Sequence, residues 1–188
     1  MILGIIASSI SGSKIATNSY ESIATVAVGS GGSTTISFTS IPSTYSHLQL
    51  RAIAHTAGNG FDYALTKITF NSDSGSNYAY HRLFGNGTSA SADGEASKTQ
   101  IYGTWSPDNL TLSSSFGASV MNVLDYSSTN KYKTVRILGG FDSNGKGFAA
   151  LFSGLWQSTS AINRIDLTSN SGQDFSNYSH FALYGIKA

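Results

Sequence analysis

Three histidines stand in nearly the same phrase: TYSHLQLRAI over 44–53, NYSHFALYGI over 177–186 and, more loosely, SNYAYHRL over 76–83. Three imidazoles, here His47, His81 and His180, are enough to hold zinc or to share acid–base work. That chemistry needs three separate strands to converge, and no motif in the chain demands it. The structural reading is that Tyr45–His47 and Tyr178–His180 mark corners where a turn gives way to a strand. The tyrosine ring is then buried with its hydroxyl facing water, and the histidine lines the strand opening. A second oxygen-rich stretch, Asn71, Asp73 and Asn77 around Gly75, alternates ligands as a calcium loop can, but the bidentate glutamate that closes such loops is missing. An Asx-rich turn uses the same residues.

Other chemistries leave less trace. Glycoside hydrolysis needs two carboxylates facing each other across a cleft; the ten acidic residues are scattered, and Asp73, Asp93, Asp142 and Asp174 lie in turn-type sequence. Serine is abundant, yet no Gly-x-Ser-x-Gly elbow occurs, and Gly145-Lys146-Gly147 has neither the spacing nor the strand–loop–helix setting of a phosphate loop. Cysteine is absent, which removes disulfides, thiolate metal sites and a thiol nucleophile. The expectation is no enzyme, with no catalytic residue, cofactor or metal. What remains is aromatic. Tyr102 and Trp105 in IYGTWSPDNL read as a loop before Pro107, where two rings can stack on a sugar, anchor an interface or plug the core. Trp156 closes an apolar run and joins them as a candidate for interface or glycan contact.

The elements that would position these residues are strands. Helical spacing is nearly absent, and period-two or β-branched and aromatic runs recur at 22–28, 34–39, 48–56, 65–70, 78–84, 118–126, 133–139, 148–157, 162–168 and 179–186. Turn chemistry separates them, most clearly Asn144-Gly145 in FDSNGKGF, a hairpin signal because both central residues must accept positive φ. The pattern predicts an all-β fold: an antiparallel β-sandwich, jelly-roll-like, of about 8–10 strands in a single domain over 21–188. Residues 1–20 read as an N-terminal arm. Residues 85–100, GNGTSASADGEASKTQ, have no apolar face and read as a loop outside the core, suited to reaching a partner.

Two strands break the alternation of a half-solvated sheet. FAALFSGLW over 148–156 is apolar on both faces, and Val120, Met121, Val123 and Leu124 repeat the anomaly. Their outer sides are expected to be covered, either by another segment of the chain or by another subunit. Charged residues make up 11% of the chain, against about 25% in an ordinary soluble domain. A net charge of +1 offers no field for a phosphate backbone, which argues against nucleic acid. The apolar patch at 2–7 is too short to span a membrane. Low charge and 12% aromatics suit a chain that packs against copies of itself or a larger assembly.

Four phrases carry a family likeness: ESIATVAVGSGGSTTISFTSIPSTYSHLQLR (21–51), GSNYAYHRLFGNGTSASA (75–92), VLDYSSTNKYKTVRILGG (123–140) and the final YSHFALYGIKA. From residue 21 onward the chain resembles a group of small tailed-phage virion proteins, many of them cyanophage-like. The resemblance implies a non-enzymatic structural protein. It points to a capsid decoration or cement protein, made in the host cytoplasm and placed on the capsid surface as a homotrimer that bridges the major capsid protein. A tail- or fibre-borne, lectin-like receptor-binding module using Tyr102 and Trp105 is the alternative. Residues 1–20 and 85–100 are the expected contact elements.

Overall fold

A computed structural model describes residues 19–58, 62–109 and 113–187. The expected arm lies outside the described residues except for Ser19 and Tyr20, and Tyr20 is already the first paired residue, opposite Ile186. Among the described residues there are twelve strands and no helix: β1 (Tyr20–Ala27), β2 (Thr35–Phe38), β3 (His47–Ala54), β4 (Tyr63–Phe70), β5 (Tyr78–Gly85), β6 (Ala90–Lys98), β7 (Ile101–Pro107), β8 (Gly117–Leu124), β9 (Lys133–Asp142), β10 (Gly147–Trp156), β11 (Ile165–Ser169) and β12 (His180–Ile186). All ten expected strands are there. The two extra ones replace expected loops. β7 is an edge strand that tolerates Pro107 at its end.

β6 has almost no β-propensity of its own. Backbone pairing to β5 holds it, as does Asp93, which receives two hydrogen bonds from Arg82 (2.7 and 2.8 Å) and so serves a strand rather than a turn. The Tyr80 hydroxyl donates to Glu95 alongside. The residues at 85–100 are therefore a hairpin flap at the edge of a sheet, exposed as expected but ordered.

The strands form two antiparallel sheets, β1-β12-β3-β8-β9-β10-β5-β6 and β2-β11-β4-β7. Without the hairpins β5–β6 and β9–β10, the remaining eight strands run β1-β12-β3-β8 and β2-β11-β4-β7. That is the strand order of a jelly roll, two Greek keys folded face to face. The two hairpins are inserted between β4 and β7 and between β8 and β11, and both extend the first sheet past β8. Inward residues of both layers make one core, with Leu48, Leu50, Phe181 and Leu183 from the central strands and Ile36, Phe70, Ile101 and Leu167 from the facing sheet.

The repeated phrase now has its explanation. β3 and β12 are antiparallel neighbours, with His47 opposite Ile186, Leu50 opposite Leu183 and His180 opposite Ile53, so the two copies are related by a local two-fold axis. The copies differ at their tyrosines. Tyr45 lays its ring on Gly185 and donates to Glu21 Oε2 at 2.9 Å, whereas Tyr178 has positive φ and is 79% exposed. In the first copy the ring is half-buried with its hydroxyl turned to Glu21, and in the second it is exposed.

At the end of the sheet where β3 begins, a cation is built into the fold. Lys133 is fully buried, and its ammonium donates to the carbonyls of Ser128 (2.7 Å), Lys131 (2.7 Å) and Thr159 (3.2 Å), which uses all three of its protons. Burial pushes its pKa below 10.5.

Two variants test these anchors. Gly185→Ala puts a methyl against the Tyr45 ring and is expected to cost about 1–3 kcal/mol; most of that loss should vanish in the Gly185→Ala/Tyr45→Ala pair, read by thermal denaturation as a double-mutant cycle. Lys133→Met keeps the length but strands three carbonyls, and should lower stability by on the order of 2 kcal/mol in the same assay.

Candidate functional site

The histidines do not converge. His47 opens β3, and its Nδ1 accepts the backbone N–H of Asp125 at 3.0 Å. His180 lies on the neighbouring strand at the other end of the pairing, and His81 is exposed on β5 opposite Ser153 and Gly94. Among the described residues no group of three metal-ligating side chains forms. The fourth histidine, His55, is buried with its ring 5.6 Å from that of Phe116 and Nδ1 3.1 Å from Ser176 Oγ; burial pushes its pKa below 6.5.

The oxygen-rich turn is committed to the protein itself. Asn71 Oδ1 accepts the N–H groups of Asn163 and Arg164, and its amide donates to the Ala161 carbonyl. Asp73 accepts the indole N–H of Trp156 at 2.7 Å, the Asn77 amide at 3.0 Å and the Gly75 N–H at 2.8 Å. These oxygens tie two connections together and are not arranged round a cation.

Both tryptophans belong to the core: for Trp105, of the three readings open to it, burial favours the core plug, and for Trp156 it corrects the expected interface or glycan contact. Trp105 is on β7, 2% exposed, stacked on Phe148 at 4.9 Å with Phe84 and Phe152 around it and the Arg82 guanidinium 5.4 Å from its centroid. Trp156 is equally buried, against Phe70 and Tyr78. Each seeds an aromatic cluster at one end of β10. Tyr102 is half-buried beside Tyr80. Substituting Trp105 would therefore test the core and not sugar binding.

Between the sheets lies a void of about 20 Å³, enough for one water. A wider cleft, about 570 Å³, opens between the tips of the β5–β6 and β9–β10 hairpins. Its adjoining part is lined by Tyr63, Phe141 and Phe148 and crossed by the Asp62–Lys146 ion pair at 2.7 Å. The β9–β10 tip is the expected Asn144-Gly145 turn, with both residues at positive φ. Most polar groups here are engaged within their own turns: Asn86 Oδ1 accepts from Thr88 and Ser89, and Asp142 Oδ1 from Asn144.

The most unusual surface is the outer face of the larger sheet. Leu83, Leu151, Leu138 and Val120 are direct register partners on β5, β10, β9 and β8. They form one row across four strands. Leu83 is 56% exposed, Leu151 46% and Leu138 64%, and among the described residues nothing covers them. The outer side of β10 was expected to be covered; within these residues it is bare. Leu83 and Leu138 escaped the sequence reading, although each has an apolar neighbour, Phe84 and Ile137, where alternation calls for a polar one.

These features define an antiparallel jelly-roll sandwich whose larger sheet is widened by two hairpins and left apolar on its outer side. Set against protein-family models, curated proteins and solved structures, the chain matches none.

The Asp73 contacts predict a pH effect. The Trp156 indole N–H, foremost, holds the carboxylate below its ordinary 3.8. The stability this brings is complete above the unfolded value and is lost as the pH falls below 3.8 through the folded one. Asp73→Ala should cost about 1–3 kcal/mol at pH 7 by leaving the buried indole without an acceptor. Its melting temperature should also fall less than the wild type's between pH 5 and pH 2, as read by tryptophan fluorescence.

Proposed function

We propose that the chain is a non-enzymatic structural protein of a tailed-phage particle, a capsid decoration protein whose partners are the major capsid protein and further copies of itself. The observation that carries this reading is the uncovered leucine row. A sheet face that is meant for water alternates polar residues outward, and contiguous exposed apolar patches mark contact surfaces. Covering each of these leucines contributes about 1–2 kcal/mol, a small sum for one subunit and a large one when repeated at every point of a lattice. The resemblance over 21–188 supplies the setting, and jelly rolls serve as virion and lectin domains alike.

The hairpin-tip cleft favours a second reading, a lectin-like module on a tail or fibre. Its aromatic floor suits the apolar face of a sugar, with Lys146 and Asp62 at the rim. The self-satisfied polar groups of the turns place it second.

Quantitative mass spectrometry of purified particles, separated into heads and tails, tests both. Hundreds of copies on heads are expected. A few to a few dozen copies confined to tails, together with glycan binding that is lost in Lys146→Ala, would favour the lectin reading, and absence from particles would overturn both.

A further inference from the structure

The outer face of the larger sheet has relief as well as apolarity. Beside the ridge of Leu83, Leu151, Leu138 and Val120 runs a parallel row two residues away on the same strands: Gly85, Ala149, Gly140 and Ala118, again in direct register. No side chain fits at Gly140, where a Cβ would run into the Phe148 carbonyl, so the floor of this groove stays bare there. Ile53, opposite Ala118 and 52% exposed, closes the groove at the β3 end. Neither row carries a charge on these four strands. The next row out, with Ser153, Arg136 and Asn122, is polar.

We infer that this face is a two-fold contact between two copies of the chain, the leucine ridge of each lying in the glycine–alanine groove of the other. Adjacent rows on one face of a strand are about 6.8 Å apart, and packed sheets lie about 10 Å apart. A two-fold axis running parallel to the rows and between them sets each ridge over its partner's groove, so the same patch serves both sides, as a two-fold contact requires. A flat partner of another kind would fill the ridge or the groove, but not both. From β6 to β3 the face spans six strands, about 29 Å at ~4.8 Å each, and three rows give about 20 Å the other way. The footprint is on the order of 600 Å² per copy, or about 1,200 Å² for the pair, at the lower edge of what a specific interface buries. The polar row forms the rim. A contact of this size is concentration-dependent, and it replaces the three-fold association that the family resemblance implies.

The inference rests on the reading of this face as a contact surface, and sedimentation of the full chain between about 1 and 200 μM tests it. A reversible monomer–dimer equilibrium is expected, abolished by Leu138→Arg. Ala149→Leu decides between fitting and mere stickiness: it makes the face more apolar but fills the groove, and should raise the dimer Kd at least tenfold. Both positions are exposed, so melting should change little. A wild type that stays monomeric throughout, a dimer indifferent to both substitutions, or one tightened by Ala149→Leu would overturn the inference. So would dimerisation seen only after residues 1–18 are removed, since that segment would then be the occupant. A monomer found on heads would overturn the two-fold contact alone; a dimer absent from particles would leave the contact standing and overturn the virion reading.

Discussion

The insertion of β12 into the larger sheet, one strand in from its edge between β1 and β3, is the constraint on which the rest depends. It ties the first and last of the described strands into one sheet, because β1 pairs with β12 alone and β12 carries it onto β3. Phe181 and Leu183 carry the contact inward to the facing sheet. The ends of the pairing are pinned outside the ladder: the Ser46 N–H donates to the Ile186 carbonyl at 2.8 Å, the Val28 N–H to the Ser179 carbonyl at 2.9 Å, and Lys187 pairs with Glu21. A near-repeat of sequence at two neighbouring antiparallel strands is what a local two-fold needs, since each strand then offers the other the same alternation of large inward and mixed outward residues.

Much of this was legible in the sequence, and the failures have a common cause. Period two and turn chemistry located ten strands and the Asn144-Gly145 hairpin because those signals are local. β6 was hidden because its stability lies in β5 and in Arg82 and Tyr80, not in its own alanines and serines. β7 was hidden by Gly103 and Pro107, and with it the burial of Trp105, whose neighbours Phe148 and Phe152 come from a strand some forty residues on. The leucine row is the same kind of object. Each member is visible as a break in alternation, but whether Leu83, Leu151 and Leu138 stand in line is a question of register, which no single strand contains.

The two sheets are unequal, and the function proposed grows from that inequality. Four strands cannot cover two faces of eight. The larger sheet buries its inner side against β2, β11, β4 and β7, with the two tryptophan clusters filling the space towards β10. Its outer side is left with leucines on a bed of alanine and glycine and almost no charge. Polar chemistry in the molecule is spent on holding connections: Asp73 on Trp156, Asn71 on Asn163 and Arg164, Lys133 on three carbonyls. Of the side chains that first suggested a metal, His47, Asn71, Asp73 and Asn77 hold neighbouring segments together, while His81 and His180 stand apart on the surface.

Strand order also sets a schedule. β12 is the last of the twelve strands to be synthesised, and β3 must wait for it from residue 54 to residue 180. At about 5–20 residues per second this is roughly 6–25 s. During that interval β1 and β3 are open edges in a growing chain, and β-rich topologies of this kind close slowly even when complete. In the row of the leucine ridge, β3 carries Arg51 opposite Val120, so the apolar ridge of β8 to β10 stops at a charge there. β1 waits longer still, from residue 27, because β12 is its one partner among the described strands, whereas β3 is already paired on its other side once β8 is made.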